Sequence, residues 1–414
     1  MADAYKLYKY DIEVSIVSAG QSLKLEPSQI NRVLIEKNFD NCLYPVFAIG
    51  INLPLDKYVH IVKNKFDTTF IISLYKYIQS DDTGSVFQRS VLVQGKFTPI
   101  IKDDTPVTDL TYYKQIKYGS GFTTNDLIVK DLETNYTFIL FKKEDLAITS
   151  NISNTVFPSI NLRDAIAYTL NSCGVSNVLM SNLDNTSSYS EFIDLAVPVA
   201  EKIRFYDIFY GMYREGAIIF FDLDRRYIVR KSGICTAWSG NEPKVISFNI
   251  SSGLTADKMQ PGSYTKNGVV FHNINQDNLN ISTLTSSTEQ VYGNDIQIFD
   301  TLNGSVSSSK YSGSKQLKTG GVQMVTKTTE NIYIAQQKMA RTIENDTCVN
   351  ITAQNIDISE LKPNKEYKLT TDITPIANAV KGKFRLSSAR YSFSRNAEGF
   401  DVVSFIQLLK THNG

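Results

Sequence analysis

The feature that most limits this chain is alternation of period two sustained over long runs. Phe384, Leu386, Ala389, Tyr391 and Phe393 lead into a loop at Arg395 to Gly399, and Phe400, Val402, Ser404, Ile406 and Leu408 alternate after it. Successive side chains of a strand point to opposite faces, so the two runs predict a long hairpin with one buried face, a pattern that suits a barrel wall. Tyr8, Tyr10, Ile12, Val14 and Ile16 repeat the pattern near the other end. They are followed by a turn at Ala19-Gly20-Gln21-Ser22, by strand-like Leu23 to Leu25 and Arg32 to Lys37, and by a third long strand from Tyr44 to Leu53. Pro54 suits the first turn of a helix whose apolar stripe is Leu55, Tyr58, Val59 and Val62. Phe66, Thr68, Phe70, Ile72 and Leu74 restore period two, and Asp81-Asp82-Thr83-Gly84 joins that strand to another starting near Val86. Long antiparallel strands expose unpaired edges unless the sheet closes or covers them.

The middle third changes texture. Asn161 is placed to cap a helix with apolar positions Leu162, Ala165, Ile166, Thr169, Leu170 and Cys173, with Asp164 in its first turn and Gly174 at its end. A strand near Phe192 to Val197 follows. Phe205, Ile208, Phe209 and Met212 then fall at i, i+3, i+4 and i+7, which predicts an amphipathic helix ended by Gly216. Beyond it, Ala217 to Phe221 and Tyr227 to Arg230 are strand-like runs around Asp222, Leu223, Asp224 and Arg225. Two carboxylates this close raise the question of a metal or acid/base pair. Asp is also a favoured turn residue, and the neighbours here are Arg225 and Arg226, so a hairpin loop is the reading the residues support.

Other local chemistry is sparse. The three histidines, His60, His272 and His412, have no zinc-helix spacing, and Cys42, Cys173, Cys235 and Cys348 form no Cys-x-x-Cys pair, so reduced thiols are expected. Gly262, Gly268 and Gly320-Gly321 read as turn glycines, with no Walker loop and no Gly-x-Ser-x-Gly elbow. No catalytic, cofactor-binding or metal-binding residue is assigned, and no cofactor. A glycosidase-type carboxylate pair, whose spacing is spatial, stays open at this point. With Lys and Arg at 43 against Asp and Glu at 42, the net charge of +1 advertises neither a nucleic-acid binder nor an acidic store. The N-terminal MADAYKLYKYDIEV alternates like a strand, which argues against a signal peptide, and no apolar run approaches the ~18 residues of a membrane span. Tyr and Phe, at 23 and 22 against one Trp, favour strands. From Ser282 to Gly321 the chain is rich in Ser, Thr, Gly and Asn, which predicts a polar, mobile excursion; Ile332, Ala335, Met339 and Ile343 then mark a helix.

The ending carries a resemblance. A strand from Cys348, the turn Leu361-Lys362-Pro363-Asn364, a return strand, and the closing hairpin that begins Gly382-Lys383-Phe384-Arg385-Leu386 occur in that order. This order resembles the late control D family of phage tail baseplate hub proteins, which includes the N-terminal part of type VI secretion spike proteins. Phe221-Asp222-Leu223-Asp224-Arg225-Arg226-Tyr227-Ile228-Val229 is similar to the hairpin of that family's middle domain. Two departures stand out: Asn364 replaces a usual glycine, and Arg225 sits at the turn-glycine position.

The resemblance implies an α+β, mainly β fold: two tail-tube-like antiparallel β-barrels, at 1–150 and 246–414, with a small α/β middle domain at 151–245. It further implies a homotrimer in the virion baseplate, assembled in the host cytoplasm, that joins the tail tube protein to the central spike protein, contacts other baseplate proteins, and lets DNA pass without specific binding or a membrane anchor. The Ser282 to Gly321 segment would be an arm that orders on assembly. Two rival readings remain at this stage, a tail-tip cell-wall hydrolase or peptidase and a carbohydrate-binding tail module.

Overall fold

A computed structural model of the chain describes residues 6–39, 41–80, 88–100, 133–152, 154–213, 216–222, 225–230, 245–251, 263–283, 295–300, 305–310, 322–327, 347–363, 365–371, 373–396 and 399–411. The first third contributes β1 (Lys6–Ser18), β2 (Gln21–Lys24), β3 (Ile30–Asn38), β4 (Asn41–Cys42), β5 (Val46–Pro54), β6 (Thr68–Ser80), β7 (Gln88–Ile100) and β8 (Glu133–Phe141). The middle contributes β9 (Val156–Asn161), β10 (Val178–Met180), β11 (Ser188–Ile193), β12 (Ala217–Asp222) and β13 (Arg225–Arg230). From the last part come β14 (Val245–Ser251), β15 (Ser263–Lys266), β16 (Val269–Asn275), β17 (Leu279–Thr283), β18 (Asp295–Asp300), β19 (Ser305–Lys310) and β20 (Val322–Lys327). β21 (Thr347–Gln354), β22 (Glu366–Thr371), β23 (Lys383–Asn396) and β24 (Gly399–Thr411) complete it.

Eight of these strands close on themselves. The ring runs β1-β6-β7-β8-β5-β3-β23-β24 and returns to β1 at Tyr10 opposite Phe400, with every neighbour antiparallel. The alternation dictates its filling: Tyr10, Ile12, Val14, Ile49, Ile51, Phe70, Ile72, Phe138, Tyr391 and Phe393 are all buried in one core. An eight-stranded barrel has an interior about wide enough for side chains, so this one is a packed core and not a pore. The helix Leu55–Lys63 lays Tyr58 flat on Tyr136 of β8, with ring centroids 3.8 Å apart and planes at 6°.

The closing hairpin serves two sheets. Beyond the ring, β23 and β24 continue into a second curved sheet ordered β15-β16-β14-β22-β23-β24-β21-β17, in which β14 runs parallel to both β16 and β22. A register shift between Leu386 and Ser388 divides the roles of β23: Ser388 to Ser394 pair with β3, whereas Phe384 pairs with Tyr367 of β22. Such a bulge bends a strand and raises its local twist, which is what redirects one strand from one sheet to the other. Ser387, the extra residue, keeps its carbonyl satisfied by the Phe39 amide at 2.9 Å.

In the middle, β12 and β13 pair as the expected hairpin, though Asp222 opposite Arg225 makes its loop two residues and not four. β10 and β4 flank the hairpin, so the first third lends a short strand to the middle sheet. The helix Leu162–Asn171 matches its sequence pattern. Asn161 Oδ1 accepts from the Asp164 amide at 2.9 Å, and all six of its expected apolar positions are buried. The next strand begins earlier than its apolar run suggests, at Ser188.

The helix Val199–Phe209 departs further from expectation. It starts before Ile203, ends before Gly211 instead of at Gly216, and buries Val199, Lys202, Ile203, Tyr206 and Asp207, while Phe209 is 57% exposed. The reason is a polar network beneath it: Lys202 and Tyr206 both donate to the buried carboxylate of Asp194, and Tyr206 meets Thr169 at 3.3 Å. Of the expected stripe, Met212 is fully buried, Phe205 packs partly buried against the core, Ile208 is half-buried and Phe209 is exposed.

β18 and β19 lie within the Ser/Thr-rich excursion and form a separate three-stranded sheet with β20 just beyond it, β18 pairing antiparallel with β19 and parallel with β20. The Asp81 to Gly84 turn, Leu223, Asp224, Cys235, Trp238, Gly262, Gly320-Gly321, the helix marked by Ile332 to Ile343, Asn364 and His412 lie outside the described residues.

Candidate functional site

Three buried ion pairs sit where parts of the molecule meet, whereas Lys202–Asp194 lies within the middle part. Lys37 follows Val33 and Ile35 on the inward register of β3, which places an ammonium in the barrel core. Its partner is Asp222 at the end of β12, at 2.7 Å, with both side chains almost fully buried. A buried charge is tolerated when paired, and this pair fastens the middle hairpin to the first barrel. One residue into β13, Arg226 donates through Nε to the Leu43 carbonyl at 3.1 Å and through its terminal nitrogen to Asp145 of the helix Lys143–Ser150. Burial pushes the Asp145 carboxyl up, and Arg226 opposes that shift.

A second joint links the first barrel to the second sheet. Lys76 of β6 reaches Asp357 at 2.7 Å and the Ser359 hydroxyl at 2.9 Å, and its ammonium lies 5.7 Å from the centre of the Tyr8 ring. Asp357 also accepts from the Ser359 amide and hydroxyl at 3.0 and 2.6 Å. Beside it the Tyr10 hydroxyl donates to the Ile356 carbonyl at 2.7 Å and accepts from the Ile358 amide at 3.2 Å. The segment after β21 is thus held against β1 and β6 by one ion pair and a buried phenol. Burial pushes the Tyr8 phenol up to about 12 and that of Tyr10 well above its ordinary value.

These groups are structural in character. General acid/base work needs a group poised near the working pH and within reach of substrate, whereas here the phenols are raised by burial and the carboxylates are engaged with cations. Of the carboxylate pair first met in the sequence, Asp222 is the partner of Lys37. His60 lies on the helix Leu55–Lys63 with Nε2 3.3 Å from the Ser18 carbonyl. His272 is fully buried on β16, its ring 5.4 Å from that of Phe248, and neither ring nitrogen meets a hydrogen-bond partner among the described residues. Cys42, Cys173 and Cys348 are free thiols, and burial pushes the Cys42 thiol up. Among the described residues no group of three His, Cys, Asp or Glu is arranged to hold a metal ion, and no helix is long and apolar enough to cross a membrane.

The joints were missed by local motif reading because their partners are 185 and 281 residues apart. Lys37 and Lys76 carried a signal: each is a charge at a position where alternation demands an apolar side chain.

The fold is similar to that of solved tail proteins. It superposes on the tail protein from Neisseria meningitidis MC58 with a TM-score of 0.51 at 10% identity, covering 97% of each chain. It superposes equally on a chain of the lidded Francisella PdpA-VgrG complex, with a TM-score of 0.51 at 9% identity, covering 98% of this chain and 53% of that one, about half its length. The fold class expected from the hub resemblance therefore holds. The chain belongs to the family described as Bacteriophage PBS1 gene 109 protein, whose model matches residues 5–411. A search of curated proteins gives no match.

Proposed function

We propose that this chain is the central hub of a phage tail baseplate, a homotrimer that joins the tail tube to the central spike and encloses a channel for DNA. The observation that carries the proposal is the shared hairpin β23–β24, which makes the wall of the first barrel continuous with the second sheet. A rigid double-walled subunit of this kind is what a load-bearing ring needs. Because the first barrel is filled by aromatic and aliphatic side chains, a channel has to run between subunits, and that requires several copies. Division into a first barrel at 1–150, an α/β part at 151–245 and a second barrel at 246–414 belongs to this reading, as does ordering of the 282–321 arm on assembly. So does a place in the virion without catalytic activity: the buried charges serve as joints. Near-neutral net charge suits a passage that must not retain DNA.

Co-expression with the neighbouring tube and spike proteins tests the proposal. It predicts a stable complex that co-purifies through a tag on either partner and contains three copies of this chain. Recovery of each tagged partner without this chain would contradict it.

A further inference from the structure

Asp194 and Lys202 are sealed from water more completely than the Lys37–Asp222 joint. Their side chains are 1% and 0% exposed, against 6% for Asp222 and 2% for Lys37. Asp194 directly follows β11, and Lys202 lies eight residues later, one turn into the helix Val199–Phe209. The core around them is aromatic: Phe192 and Tyr206 are fully buried in it, with ring centroids 5.1 Å apart. The two oxygens of the carboxylate have different partners. Lys202 Nζ donates to Oδ2, and the Tyr206 hydroxyl donates to Oδ1 at 2.8 Å. Burial pushes the Tyr206 phenol up, which keeps it protonated and a donor, and the Thr169 hydroxyl lies 3.3 Å from it.

A nitrogen nucleophile at one oxygen of a carboxyl group and a hydrogen-bond donor at the other are the parts of an acyl transfer. A desolvated lysine amine is a nucleophile, and a fixed donor stabilises the oxygen on which charge develops. Groups held in contact react with effective molarities of ~10⁵–10⁸ M. We propose that Lys202 and Asp194 condense to an intramolecular amide, a covalent modification that ties the end of β11 to the helix. The folded pair begins as ammonium and carboxylate. A proton passes from Nζ to Oδ2, a transfer that an apolar enclosure favours because it removes two buried charges. Nζ then attacks Cγ, and as the C–N bond forms Oδ1 takes up negative charge against the Tyr206 hydroxyl. A second proton moves from Nζ to Oδ2, the Cγ–Oδ2 bond breaks, and Oδ2 leaves as water while the Cγ–Oδ1 double bond re-forms. Nothing is oxidised or reduced, and no co-reactant is needed. Exclusion of water from the closed core protects the product from hydrolysis. The amide stands independently of the hub reading, although a subunit under load would gain from such a tie.

The test is the intact mass of the purified full-length chain under denaturing conditions, for wild type and Lys202→Arg, followed by mapping of tryptic peptides. The inference predicts a wild type lighter than its sequence by one water molecule, and a Lys202→Arg variant, which lacks the nucleophilic amine, at its full sequence mass. It also predicts that trypsin fails to cut after Lys202 in the wild type, so that residues 164–204 are recovered as one peptide short of one water. A wild type at full sequence mass overturns the inference. So does a missing water with Lys202 still cleaved, which would place the dehydration elsewhere, as in an aspartyl succinimide, and so does a Lys202→Arg variant that is still short of one water.

Discussion

Lys37 and Asp222 show what single residues do here. Neither makes sense alone: an ammonium in a barrel core and a carboxylate at a buried strand end are each costly, and 2.7 Å apart they answer one another. Removing one partner leaves the other charged and buried, a loss of ~3–5 kcal/mol. Asp222→Ala is therefore expected to lower the denaturant midpoint sharply. The double variant Lys37→Met with Asp222→Leu should recover most of the loss in the same measurement. His272 contributes a pH dependence. Burial pushes its imidazole from the ordinary 6.5 down to about 4, with the charge of Asp357 opposing the shift and Lys76 bonded to that carboxylate. A histidine whose folded pKa is depressed contributes full stability above the unfolded pKa and loses it as pH falls from 6.5 towards 4, since the unfolded chain takes up the proton first. At pH 5 the loss amounts to about 2 kcal/mol. Urea titrations at pH 7.5 and pH 5 should show this difference in wild type and not in His272→Phe; an identical drop in both would remove His272 as the cause.

At the scale of elements, the closing hairpin is the part on which most else depends. Gly399, which starts β24, has φ of +143°, and a Cβ placed there would stand 3.0 Å from the Tyr10 carbonyl on β1. Gly399→Ala thus combines backbone strain with a clash at the seam of the barrel, at a cost of ~1–3 kcal/mol. Gly174→Ala, where φ is +74° but the space is open, should cost less in the same thermal melt. A chain ending before Lys383 should lose the first barrel as well as the second, visible as loss of strand signal in circular dichroism and rapid proteolysis of residues 6–100; a protease-resistant N-terminal fragment would show that the ring closes without the hairpin.

What the sequence reveals at this scale depends on whether the determining interaction is local. Asn161 and the helix it caps were legible because cap and apolar stripe lie within a few residues. The long runs in β1, β6, β23 and β24 were legible because alternation is local too. Helix Val199–Phe209 was legible in part: its apolar spacing gave a helix, but not its bounds or that Lys202 and Tyr206 turn to the buried Asp194. The sharing of one hairpin by two sheets left only an irregular spacing, Leu386 to Ala389, where the register shift falls. Pairing partners hundreds of residues away leave no periodicity of their own. The carboxylates of FFDLDRR were legible as a turn, but the role of Asp222 depended on Lys37, 185 residues earlier.

At the scale of the whole molecule, the proposed hub role is one of bearing load. A filled barrel, a second sheet built on the same hairpin, and a middle part pinned by Lys37–Asp222 and Arg226–Asp145 give a subunit whose parts are tied across the full length of the chain. Five of the ten large apolar side chains exposed among the described residues lie in the middle part. The most direct test is negative-stain electron microscopy of the purified protein, alone and co-expressed with the adjoining spike or tube protein. A threefold ring with a central channel is expected in the co-expressed sample. Compact monomers under both conditions would contradict it.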